Sequence, residues 1–139
     1  MTTARQDALV ATWNACGYYR LVGMRVVRVD DRRSELDLVV GDEHLQAYGT
    51  AHGGITAGLL DAAMGLAVLG RTGPLEGCAT VGMTVSFTAP ARHGTLSASG
   101  RVAHMGRRLV TATAEARDAE GVLVAVGQGT FARFAMEEE

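Results

Sequence analysis

Gly53-Gly-Ile-Thr-Ala-Gly-Leu-Leu-Asp61-Ala-Ala-Met-Gly-Leu-Ala-Val-Leu-Gly70 is an eighteen-residue run with a single charge, Asp61, entered through His52. Ile55, Leu59, Leu60, Ala62, Ala63, Met64, Leu66, Ala67 and Leu69 cover nearly every face of a helix, and a helix that is apolar all round is expected to be buried. An unpaired carboxylate in such a place costs several kcal/mol. Asp61 is therefore expected either to perform chemistry or to pair with a distant arginine in the core. Gly53 and Gly54 leave bare backbone N–H groups at the helix start, where the helix dipole is positive. A lone acid and an anion-stabilising end on one helix are two halves of a hydrolytic site. The run is long enough to be compared with a membrane span. A central aspartate opposes that reading by roughly 2.5–3.5 kcal/mol, and five glycines weaken it further.

The 139 residues, 47% of them hydrophobic, amount to one domain (1–139) with material for one core. A net charge of −2 argues against nucleic acid as the main partner. All thirteen basic residues are arginine, whose planar fork of donors suits phosphate. Cys16 and Cys78 have neither metal spacing nor a CxxC arrangement and read as reduced thiols of an intracellular protein. The N-terminus lacks the apolar stretch of a signal peptide. The expectation is a soluble, cytoplasmic domain without a membrane segment.

Around the central run, residues 5–15 read as a short amphipathic helix with Leu9, Val10 and Trp13 on one side, within an N-terminal helical segment spanning 1–20. Val22 to Val29 and Glu35 to Val40 read as strands about a polar turn, and Gly41 to Ala51 as a loop. After Gly73-Pro74 the chain is strand-like throughout: Ala79 to Thr88, Thr95 to His104, Leu109 to Arg117 and Val122 to Phe134, with turns at 90–94, 105–108 and 118–121. Residues 135–139 are expected to form a disordered tail. With one long apolar helix and six strands, the simplest architecture is α+β, a curled antiparallel sheet wrapped around that helix. This is the hotdog fold, whose open edge is normally covered by a second subunit.

The segment from His44 through Gln46, Gly49, His52-Gly53-Gly54 to Asp61 resembles the signature of hotdog-fold acyl-CoA thioesterases, of the PaaI-like and 4-hydroxybenzoyl-CoA thioesterase group. The pattern is a polar amide, a glycine, His-Gly-Gly and an acid eight residues after the first of those glycines. The resemblance spans about Gly23 to Phe134. It implies that the Gly53 N–H polarises the thioester oxygen, that Asp61 attacks the carbonyl or deprotonates a water that does, and that Gln46 orients the water or holds the carbonyl. His52 suits a general base by its ordinary titration range; the resemblance favours a role in fixing the loop and the glycine turn. Gly65 stands where several relatives carry Ser or Thr to position the water, and Thr80 matches a position where others carry a serine for that job, the alternative being an ordinary strand threonine. Gly106, Arg107 and Arg108 resemble the hairpin lying near the nucleotide, with Gly54 also at the substrate; Arg71 and Arg92 are weaker candidates for phosphate.

Spacing adds an independent constraint. Asp61 lies ~12 Å along the helix axis from Gly53, so both cannot reach one carbonyl within a subunit. A shared reaction requires the acid of a neighbouring chain. The expected partners are thus an acyl-CoA substrate and a second copy of the chain, in a dimer with composite sites and then a tetramer of two dimers. No GxSxG elbow is present, the four histidines have no metal spacing, and Gly127-Gln-Gly129 lacks the third glycine of a dinucleotide fingerprint. No cofactor or metal is expected. The rival readings are a non-catalytic acyl-CoA-binding module and a hotdog hydratase.

Overall fold

A computed structural model describes residues 1–137. Two short helices, α1 (Ala4–Asn14) and α2 (Gly17–Val22), lead into β1 (Met24–Val29) and β2 (Ser34–Val40). A 3-10 turn over Asp42–His44 and a loop follow, then the long helix α3 (Gly53–Leu69) and the strands β3 (Glu76–Phe87), β4 (Gly94–Met105), β5 (Leu109–Arg117) and β6 (Leu123–Ala135). The strands form one antiparallel sheet in the order β1-β2-β4-β5-β6-β3, curled about α3. Register shifts at Val26/Arg28, Thr80/Gly82 and Val102/His104 mark bulges, and a bulge bends its strand and increases the local twist. This is the expected hotdog architecture. No helix is long and apolar enough to cross a membrane among the described residues.

The side of the sheet under the helix is built from small residues. Ala98, Ala112, Ala114 and Ala116 are buried there, and a Cβ on Gly127 or Gly129 would press on Leu60 or Met64 of α3. The glycine pair of β6 thus serves close helix packing. The tightest point is Gly100, where a Cβ would overlap the Ala63 carbonyl of α3. Opposite Gly100 in register stands Ser34, whose hydroxyl donates to the same Ala63 carbonyl at 2.6 Å. Both partners at this crossing are backbone, so neither yields by changing a rotamer. Gly100→Ala is expected to lower the unfolding free energy by about 3 kcal/mol, at the upper end of ordinary overpacking. Chemical denaturation checks it, and a loss below a few tenths would contradict so close an approach.

The N-terminal segment is fastened at three points. Thr3 and Gln6 form a reciprocal capping box on α1. The buried Gln6 amide also donates to Asp31 at 2.7 Å and to the Gly70 carbonyl at the far end of α3 at 3.0 Å. The Asn14 amide accepts from the Val26 N–H and donates to the Val26 carbonyl, so one side chain pairs with the open edge of β1 as a strand would.

Several boundaries differ from the sequence expectation. The strand expected from Val22 starts at Met24, because residues 17–22 form the separate helix α2, which Gly23 closes in the left-handed region at φ 83°. β3 begins at Glu76 rather than Ala79 and pairs with β6 along its whole length. The expected tail over 135–139 is corrected at its start: Ala135 pairs with Glu76, and the Met136 N–H donates to the Leu75 carbonyl. Residues 138–139 of that stretch lie outside the described residues.

The helix itself is also less enclosed than its composition suggests. Leu59, Leu60, Ala63, Met64, Leu66, Ala67, Val68 and Leu69 are buried, but Gly54 is exposed and Gly58, Asp61 and Gly65 are only partly buried. Their spacing is that of one helix face, and aspartate is the only side chain on it larger than hydrogen.

Candidate active site

His52 is the N-cap of α3, and its Nδ1 accepts from the Gly54 N–H at 2.8 Å. That bond uses the ring to hold the glycine turn, the role favoured for it over that of a base. Gly53, the next residue, is different: its N–H donates to no protein acceptor among the described residues. It opens into a cavity of about 380 Å³ walled by Phe87, Thr88, Pro90 and Val124. Phe87 covers this helix end so closely that a Cβ on Gly53 would stand 3.2 Å from its ring. The helix start therefore presents a free N–H, at the positive end of the dipole, to a partly apolar pocket.

The loop before the helix is locked by its own side chains. Buried His44 accepts from the Gly41 N–H with Nδ1, and its Nε2 donates to the Val22 carbonyl at 2.6 Å. The His52 N–H in turn donates to the His44 carbonyl. Gln46, expected to face substrate, spends part of its amide inside the loop: Nε2 donates to the Thr50 hydroxyl at 2.7 Å, and Oε1 accepts from the Tyr48 N–H. One amide hydrogen and one lone pair are left over. His44 opens the family-like segment but was given no role, and Thr50 had no signal in the sequence beyond being a polar residue in a loop.

Asp61 lies two turns further along α3, half-buried rather than enclosed. Its partner is not a distant arginine: its Oδ1 accepts from the Thr80 hydroxyl at 2.7 Å. Thr80 thus holds one carboxylate oxygen from the first half of strand β3 and leaves the other free. Gly65, which carries no hydroxyl, faces Phe131 across 3.6 Å, as measured from where its Cβ would be. Asp61 and Thr80 open into a second cavity of about 380 Å³, whose other walls include Trp13, Tyr18, Tyr19, Cys78 and Phe131. Burial and the neighbouring Asp61 push the Cys78 thiol up to about 11, so it stays protonated at neutral pH.

The two cavities share no residue. Within one protomer the free N–H and the carboxylate therefore look into separate spaces, as their spacing along the helix requires.

Gly106, Arg107 and Arg108 sit at the β4–β5 tip. A Cβ on Gly106 would overlap the Leu109 carbonyl, so glycine is needed for the turn. Arg133, which the sequence did not single out, pins the tip by donating to the Gly106 carbonyl at 3.1 Å while pairing with Glu76 at 2.7 Å. Arg107 and Arg108 are exposed. Val110 pairs with Phe131, and Phe131 with Thr80, so this hairpin rises at the Asp61 end of the sheet. It is remote from Gly53 and Gly54 of the same chain.

The thioesterase superfamily model matches residues 48–125. Acyl-coenzyme A thioesterase 13 of Homo sapiens is 28% identical over 133 residues, covering 94% of each chain. The conserved protein PA5202 from Pseudomonas aeruginosa superposes with a TM-score of 0.82 at 33% identity, covering 86% of this chain and 94% of that one. The PaaI protein of the E. coli phenylacetic acid degradation operon shares the fold, with a TM-score of 0.83 at 21% identity over 94% and 93% of the two chains. With a matched segment that starts in the loop before the free Gly53 N–H and takes in Asp61 and Thr80, this chain belongs to the thioesterase superfamily and is a thioester hydrolase of the hotdog fold.

Proposed function

We propose that the protein is a cytoplasmic acyl-CoA thioesterase that hydrolyses an aromatic or medium-chain acyl-CoA to the free acid and CoA. Its working unit is a dimer in which Gly53 of one protomer and Asp61 of the other address one thioester. The observation that carries this reading is the separation of the free Gly53 N–H and the Thr80-held Asp61 carboxylate into two cavities of one chain. Pairing two protomers allows each half to meet its complement.

β3 offers the surface for that pairing. It is an edge strand of twelve residues, and Val81 and Phe87 are 63% and 56% exposed on it. A long apolar edge is a template for association unless it is covered. A second layer of association, between two dimers, is part of the same proposal.

In this site the Gly53 N–H donates to the thioester oxygen and takes up the negative charge of the tetrahedral intermediate, a contribution of ~3–4 kcal/mol. Asp61 either removes a proton from the attacking water or attacks the carbonyl itself, forming an anhydride that water then opens. The thiolate of CoA leaves and is protonated. Thr80 fixes the carboxylate, and Gln46 offers its remaining hydrogen and lone pair to the water or the carbonyl. His52 holds the turn that aims Gly53, and Gly54 leaves room for the substrate. Arg107 and Arg108 meet the phosphates of the nucleotide with charge-assisted hydrogen bonds.

Hydrolysis of a panel of acetyl-, octanoyl-, phenylacetyl- and hydroxybenzoyl-CoA, read as free thiol, tests the proposal. Turnover of an aryl or medium-chain member is expected. Saturable binding of acyl-CoA with no release of thiol would instead indicate a ligand-binding module.

A further inference from the structure

Tyr19 is only 6% exposed, its ring packed by Trp13 at a centroid distance of 5.6 Å and by Tyr18 at 6.4 Å. Its hydroxyl makes no hydrogen bond among the described residues. A buried tyrosine hydroxyl ordinarily finds a partner, and leaving one without is costly. The buried side-chain atoms that are both sealed and unpartnered are Arg5 Nε and Ser99 Oγ. The Tyr19 oxygen is not one of them, so the small surface this residue exposes includes its hydroxyl. Tyr19 lines the cavity of about 380 Å³ that also holds Asp61, and the missing partner has to come from that space.

The other polar groups around the cavity are committed or weak. The Thr80 hydroxyl donates to Asp61 Oδ1 at 2.7 Å, and the Cys78 thiol donates to the Gly65 carbonyl at 3.7 Å. Cys16 offers only a weak S–H donor. Tyr18 is 52% exposed, so bulk water serves its hydroxyl. Gly65, one turn after Asp61, brings no side chain. Two groups keep unused capacity: the second oxygen of the Asp61 carboxylate, an acceptor, and the Tyr19 hydroxyl, a donor. Burial first, then the neighbouring Cys16 and Asp61, hold the Tyr19 phenol above its ordinary range, so it stays protonated. A water between an acceptor and a donor, in a space of this size, has the partners an ordered water needs.

Resting on the thioesterase reading, we propose that Tyr19 is a further catalytic residue, whose hydroxyl donates to the water that attacks the thioester while Asp61 serves as the base. The water donates one hydrogen to the free Asp61 oxygen, accepts from Tyr19 and keeps its other lone pair for the carbonyl carbon. As the C–O bond forms, that hydrogen passes to Asp61. As the C–S bond breaks, its electron pair leaves with the CoA sulfur, which takes the proton from Asp61 and restores the carboxylate. Tyr19 is carried by α2, outside residues 48–125, which carry the family match. Gln6 and Asn14 fasten this N-terminal segment through hydrogen bonds that do not involve the cavity.

Tyr19→Phe keeps the ring and removes only the hydroxyl. Its single-turnover rate on the best-cleaved acyl-CoA of the panel is expected to fall about tenfold, the worth of one hydrogen bond to the reacting water. KM and the thermal unfolding transition are expected to stay in place. Tyr18→Phe, which removes a hydrated hydroxyl from the same cavity, is expected to keep the wild-type rate. Because Tyr19 acts on the water that Asp61 deprotonates, Tyr19→Phe is expected to cost nothing further in an Asp61→Asn background. A merely structural role for Tyr19 would give the same factor in both backgrounds, with a lowered unfolding transition, and would overturn the proposal. So would a wild-type rate in Tyr19→Phe, or an equal loss in Tyr18→Phe; with cleavage still dependent on Asp61, these results leave the hydrolase reading intact. A wild-type chain that cleaves no member of the panel would remove that reading and the role of Tyr19 with it.

Discussion

Asp61→Asn is expected to lower thioester turnover about 10²–10⁴-fold, the range set by removing a positioned base, while the thermal unfolding transition stays in place. The two halves of that expectation have separate grounds. Asparagine has the shape of aspartate and still presents an oxygen that accepts from the Thr80 hydroxyl, which is the only side-chain hydrogen bond Asp61 makes among the described residues. The position lies on the partly buried glycine face of α3 rather than in the core, so an isosteric change there leaves the core packing as it is. What the amide lacks is the ability to take a proton from water or to attack a carbonyl. Wild-type rates in this variant would remove Asp61 from the chemistry.

Gly53→Pro is expected to cost about 10²–10³ in kcat, the loss typical of deleting one oxyanion donor, again without loss of the fold. Proline removes the N–H and nothing else that the protein uses, because the Gly53 N–H has no partner among the described residues. It is favoured at the first helical position. The preceding His52 already has φ −59° and ψ 134°, the extended conformation that a residue before proline requires. The added Cβ presses on the exposed Phe87 ring. Gly53→Ala carries the same Cβ and keeps the N–H, so it is the control for that pressure. Equal losses in the two variants would mean that the effect is steric and that the N–H is not an oxyanion donor.

Much of this site could be read in the sequence, because it is written in one short segment. The apolar run 53–70, the glycine pair at its start and the acid eight residues on specify a helix, its dipole and a carboxylate, all of which are properties of local sequence. Six strands around one apolar helix left little choice of architecture. Two errors share a cause: composition reports that a residue is apolar but not which neighbour covers it. The helix was expected to be enclosed on every side, yet its Gly54-Gly58-Asp61-Gly65 face is only partly covered, and glycine and alanine look alike to a hydrophobic count whether they are buried or bare. Asp61 was expected to work as an acid or to pair with an arginine; Thr80 was singled out by resemblance, but its direct bond to Asp61 joins residues nineteen apart across a β-bulge that shifts the register.

Gln46 shows the limit differently. Its amide was assigned outward by resemblance, whereas Thr50 and Tyr48 draw it into the loop. That Trp13, Tyr18 and Tyr19 line the cavity of Asp61 was out of reach for a simpler reason. Trp13 reads only as one apolar residue of an amphipathic helix, and α2 is too short to give a periodic signal. Their meeting with Asp61 depends on Gln6 and Asn14 tying the N-terminal segment across the fold.

The central claim is that each active site is assembled from two protomers, and complementation between the two dead variants tests it most directly. Asp61→Asn and Gly53→Pro chains are co-refolded in equal amounts, and the mixture is assayed beside each variant alone. In a mixed pair with composite sites, one site carries both lesions and the other carries neither. Statistical mixing puts half of the chains in such pairs, so about a quarter of wild-type activity returns. If Gly53 and Asp61 instead served one site within a single chain, every site in the mixture would carry a lesion, and activity no greater than that of the separate variants would contradict the account.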